Sequence, residues 1–189
     1  MTAFLYIPQE LLINRDNIRI RSPHIEKLFI DHPEVFIEHI DAEYLQLILF
    51  IMHEQMKGKD SFFYPYLQIV NRSDLPFLWE EGEIKEFQDA VLQSNIEFYW
   101  SEFEVEWDLF HKTLMENKYD NIIPGISDPV NKPALRQEYI KAYLTVISRC
   151  FGWGLPCTTL IPFADCINHH NVDSSYDLVK AEWKPITPE

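Results

Sequence analysis

The residues best equipped for chemistry crowd into the last third of the chain: Arg149, Cys150, Cys157, Asp165, Cys166, Asn168, His169 and His170. An amide such as Asn168 carries a donor and an acceptor on one planar group, so it can satisfy a zwitterion or the edge of a base. Arg149 offers a fixed cationic fork that suits a carboxylate. Three thiols (Cys150, Cys157, Cys166) with His169 or His170 have the composition of a tetrahedral zinc site. The tight Cys-x-x-Cys knuckles of such sites are missing and Cys150 falls on a helical pattern, so the expectation is no metal. A Cys166–His169 or Cys166–His170 nucleophile lacks an activating arrangement, and a cysteine of this kind is ordinarily packing. There is no Gly-x-Ser-x-Gly, and only 5 glycines are present, so phosphate-cradling and dinucleotide loops are excluded. His53 and His111 lie on helical stretches and read as structural, while His24, His32 and His39 form no ligand pattern. Plain alternatives stand beside each candidate. Asn168 is unremarkable at a turn, Arg149 suits a helix C-terminus, and Asp165 suits a local backbone acceptor.

The order of these residues adds what their types do not. Ser148-Arg149-Cys150-Phe151 is followed by Leu160-Ile161-Pro162-Phe163-Ala164-Asp165-Cys166-Ile167-Asn168-His169. Upstream stand Tyr6-Ile7-Pro8 with Leu11-Leu12-Ile13, then Ser61-Phe62-Phe63-Tyr64-Pro65-Tyr66-Leu67, then Leu78-Trp79-Glu80-Glu81-Gly82-Glu83. This ordered set resembles the SET-domain protein methyltransferases of the plant Rubisco large-subunit lysine methyltransferase type, whose SET domain is split by a helical insert. The resemblance implies S-adenosylmethionine as cofactor, lined by Asn168, His169 and Arg149, with Asp165 supporting that turn or touching the cofactor. It implies a protein substrate with a lysine, or a histidine, as acceptor. No catalytic residue is assigned, because Tyr176 matches no family motif. The family's Gly-rich opening strand and turn, its Tyr-Gly-like segment and its helical substrate-binding domain are not in these 189 residues. The expectation is therefore a partial SET domain, inactive or nearly so by itself. The alternative is a non-catalytic interaction module built on a degenerate SET remnant.

The elements that must position these residues are readable from periodicity. Ala3 to Ile7 reads as a short strand ended by Pro8. Tyr44, Leu45, Ile48, Leu49 and Met52 recur at helical spacing, with Asp41 placed to cap and Gly58 to stop. Glu83 to Lys118 predicts two helices or one long broken helix, its dense acids a solvated face. Asp120 to Lys132 is a connection. Pro133 opens a helix whose apolar face is Leu135, Tyr139, Ala142, Tyr143, Val146 and Ile147, ending near Cys150 to Gly154. Thr158 to Phe163 reads as extended. Strand fragments at both ends of a helical middle make the class α+β. The boundaries are an N-terminal SET remnant at 1–35, a helical insert at 36–132 and a C-terminal SET portion at 133–189.

Composition bounds the function. With 47% hydrophobic residues the chain can bury a substantial core. The net charge of −14 opposes phosphate-backbone binding, which needs clustered Lys and Arg. It suits a basic partner, although an acidic surface ordinarily serves solubility. No stretch reaches the length of a membrane span, and Met1 to Asn14 lacks the basic region of a secretory signal. Three unpatterned cysteines point to a reducing, intracellular home, cytoplasmic or nuclear.

Overall fold

The run from Leu45 to Glu54 offers apolar residues to every side, and a helix of that kind must be surrounded. In the computed structural model, which describes residues 5–70, 75–152 and 154–167, every residue of that run is buried. In chain order the helices are α1 (Arg15–Arg21), α2 (Pro23–Asp31), α3 (Pro33–Phe36), α4 (Ala42–Lys57), α5 (Tyr64–Leu67), α6 (Glu81–Lys85), α7 (Ala90–Glu116) and α8 (Lys132–Arg149). Two short strands, β1 (Cys150–Phe151) and β2 (Thr159–Leu160), pair antiparallel. The described residues are thus mostly helical with one small antiparallel sheet, an α+β arrangement in the coarse sense.

Local chemistry explains most boundaries. Proline stands in the first turn of α2, α3 and α8, where its missing N–H would lack a helical partner anyway. Asn14 caps α1 by accepting from the Asn17 amide, and Asp89 caps α7 by accepting from Val91 and Leu92. The break expected between Glu83 and Lys118 falls at Gln88, whose φ of 52° interrupts helical geometry between α6 and α7. Gly58 stops α4 in a conformation (φ 57°, ψ −128°) that side chains avoid. Asp41 does occupy the N-cap position of α4, but its side chain makes no capping bond there.

The first strand is not where periodicity put it. Leu5 and Tyr6 are exposed and Leu5–Ile7 forms no strand, while Ala3 and Phe4 lie outside the described residues. Pro8 instead leads into a 3-10 turn over Gln9–Leu11. Asn17, buried on α1, fixes that turn by donating to the carbonyls of Gln9 and Leu12, each at 2.7 Å. The extended contact moves on to Ile13. It exchanges two backbone hydrogen bonds with Leu160 (3.0 and 2.9 Å), so Leu160 lies between Ile13 on one edge and Cys150 on the other.

α4 packs along α8, and α1 and α3 close further sides of α4. Several of its buried polar groups are paired: Gln46 donates to the Phe36 carbonyl, His53 Nδ1 lies 2.8 Å from the Ile122 carbonyl, and Glu54 accepts from Ser61 and Lys57. Between α7 and α8 an aromatic layer forms, with Phe103, Trp107 and Phe110 against Tyr139. One hydrophobic cluster runs from Ile13 to Leu160, so all three stretches distinguished in the sequence feed a common core. None of the described helices is long and apolar enough to cross a membrane.

Candidate cofactor site

Arg149 is the last residue of α8, and Asp165 lies on a 3-10 turn (Ala164–Cys166) just beyond β2. The hairpin of β1 and β2 folds the chain back so that these two meet. Arg149 Nη1 donates to the Asp165 carboxylate at 3.3 Å and to its main-chain carbonyl at 3.2 Å. The Tyr66 hydroxyl, from α5, donates to the same carboxylate oxygen at 2.7 Å. The Asp165 side chain is 0% exposed and that of Arg149 11%, so water contributes little to either charge. Removing one member of such an enclosed pair leaves an uncompensated charge, which typically costs about 3–5 kcal/mol.

Burial and the adjoining carboxylate both keep the Tyr66 phenol protonated, well above its ordinary range, despite Arg149 nearby. Tyr66 is therefore a standing donor that locks Asp165. Arg149 spends Nη1 on the turn, while its Nε is buried and has no hydrogen-bond partner among the described residues. A buried, unsatisfied guanidinium N–H calls for an acceptor. Phe163, two residues before Asp165, has φ 73° and ψ −42°, a conformation costing roughly 1–3 kcal/mol in a residue with a side chain. Asp165 and the strained Phe163 share one tight turn, against which Arg149 is held. Asn168 and His169, which follow it in the sequence, lie outside the described residues.

Cys150 and Cys157 are half-buried, whereas Cys166, expected to pack, is exposed. Burial pushes the thiols of Cys150 and Cys157 up, opposite to what a nucleophile or ligand needs. Among the described residues the three sulfurs do not gather at one point, and His169 and His170 lie outside them. His53 and His111 are buried, with pKa values lowered mainly by desolvation, so both are neutral structural groups. What the residue types alone did not reveal is Tyr66. It stood in the Pro65-Tyr66-Leu67 anchor, and only the fold makes it a partner of Asp165 across 99 residues.

No family model matches this chain, and no curated protein matches it.

Proposed function

We propose that this chain is a SET-type protein methyltransferase unit that binds S-adenosylmethionine and directs it to a lysine, or histidine, on another protein. The observation that carries this reading is the meeting of Tyr66, Arg149 and Asp165. These belong to three separate stretches of the motif set, and Leu11-Leu12-Ile13, a fourth, reaches the same hairpin through the Ile13–Leu160 bridge. Segments placed only by their order in the sequence thus converge on one turn.

In this reading Arg149 and Tyr66 rigidify the Asp165 turn, which presents Asn168 and His169 to the cofactor. The open Nε of Arg149 fits an anionic group such as the cofactor's carboxylate. S-adenosylmethionine supplies the methyl group as an activated sulfonium. The protein's part is to bind, orient and exclude water, which together account for much of the acceleration in such a displacement.

Isothermal titration of the full chain with S-adenosylmethionine, beside Asn168→Ala, tests the proposal. Saturable binding that the variant loses is the expected result; absence of binding by folded protein overturns cofactor recognition by this chain.

A second reading, a non-catalytic interaction module, has an observation of its own. Val91, Phe98 and Val105 recur every seven residues on α7 and are 72%, 58% and 66% exposed. Exposed Glu97 and Glu102 flank this stripe. A basic amphipathic helix complements such a face, and it would bind without any cofactor. The same titration separates the two readings, since a module of this kind takes up no S-adenosylmethionine.

A further inference from the structure

The turn before α4 brings His39 and Asp41 against Glu106 of α7. One ligand atom from each, an imidazole nitrogen and two carboxylate oxygens, lies within 4.8 Å of the others. Three features set this group apart from an ordinary acidic surface. Asp41 occupies a helix N-cap yet caps nothing, its carboxylate being turned to Glu106 instead. Glu106 is only 9% exposed, although the acids around it on α7 are solvated. Tyr139 of α8, fully buried, feels the charge of both carboxylates, and its hydroxyl has no hydrogen-bond partner among the described residues.

We propose that His39, Asp41 and Glu106 form a site for a divalent first-row transition-metal ion, with Tyr139 supporting its open coordination position. One imidazole and two carboxylates are a mixed N/O set, which suits Zn²⁺, Mn²⁺, Fe²⁺ or Co²⁺ better than Mg²⁺ or Ca²⁺. Bonds of about 2.1 Å place tetrahedral ligands roughly 3.4 Å apart, so the group closes by an ångström or so on loading. Three protein ligands leave at least one position for water, and the Tyr139 hydroxyl then gains the acceptor it lacks.

Burial, together with the charge and hydrogen bond of Asp41 and the charge of Glu102, pushes Glu106 up to about 7. The Asp41 and Glu106 carboxyl groups are hydrogen-bonded to one another in the absence of a cation. The Asp41 amide donates to His39 Nδ1 at 3.1 Å, so in the neutral ring Nδ1 holds the lone pair and Nε2 the proton. The groups in electrostatic contact with the two carboxylates are Glu102 from α7 and Tyr139 and Tyr143 from α8. Both phenols are held protonated by burial and by these carboxylates, so neither competes as an anion.

Co²⁺ is the probe, titrated calorimetrically and by absorption into untagged, chelator-stripped full-length protein. It accepts the same ligands as zinc, and thiolate coordination would announce itself by intense near-ultraviolet charge transfer. The expected result is one equivalent bound without that band. His39→Ala and Asp41→Asn, both checked for native circular dichroism, should each lose more than the roughly 10–100-fold that a supporting residue commands. Tyr139→Phe, as such a supporting residue, should weaken binding about 10-fold. Absence of Co²⁺ binding by folded wild-type protein overturns the site. So does binding that carries the thiolate band and survives both His39→Ala and Asp41→Asn.

Discussion

Glu106 shows how one side chain can couple folding to pH. Its carboxyl is held up to about 7 by burial first and by Asp41 second, against an ordinary value of 4.5. The folded state therefore binds a proton that the unfolded chain has already lost between pH 4.5 and 7. The sign follows: this contribution is fully present below pH 4.5, falls as pH rises, and is gone above about 7. In metal-free buffer the thermal midpoint of Glu106→Gln should gain on the wild type as pH is raised from 5 to 8, because the glutamine never ionises. Parallel pH profiles for the two proteins would remove Glu106 from this role. The sequence held a signal for it. Phe103, Trp107, Phe110 and Leu114 mark the buried face of α7, and Glu106 stands beside them in the helical rotation. Reading the acids as one solvated run ignored that alternate residues on a helix point to different sides.

At the scale of elements, α4 was legible almost to the residue, since its apolar spacing and Gly58 mark both the face and the stop. Gly58 carries a checkable cost. Its φ of 57° with ψ of −128° is a glycine conformation, while a Cβ there would meet nothing within 4 Å. Gly58→Ala should lose roughly 1–3 kcal/mol through backbone strain alone. Equilibrium urea unfolding measures it, with an unchanged slope expected because the exposed area is the same. The strand expected at Ala3 to Ile7 failed for an instructive reason: a strand is made by its partner. Leu160 offers its backbone groups to Ile13, and the turn locked by Asn17 sets which residue arrives there.

Across the whole molecule the acidic excess is the dominant long-range term. A net charge of −14 repels itself within a compact body, and salt screens that repulsion. The Debye length shrinks from about 30 Å at 0.01 M to about 8 Å at 0.15 M. The thermal midpoint should therefore rise over that range, followed by circular dichroism at constant pH. A falling midpoint would mean that surface pairs such as Lys27–Asp31, Lys85–Glu81 and Arg136–Glu104 outweigh the repulsion. Such exposed pairs are individually worth about 0–1 kcal/mol, which is why the rise is expected. The same charge surrounds the α7 stripe of Val91, Phe98 and Val105, which exposed carboxylates flank.

By itself the sequence determined α4, α7 and α8, because the 3.6-residue spacing of apolar side chains and the placement of Pro, Gly and Asp are local properties; it did not yield α1 to α3, which occupy a stretch expected to belong to a strand-built remnant. It also marked Arg149 and Asp165 as residues to watch. Tertiary structure alone decided what they do. Tyr66 reaches Asp165 only after α5 docks near the hairpin, and the same enclosure that excludes water makes the Arg149–Asp165 charges interdependent. His39, Asp41 and Glu106 were separately unremarkable, and their meeting depends on how the turn before α4 lies against α7. Spacing along a chain encodes the face of a helix. Which face meets which is set by burial of the whole core, and no single segment contains that information.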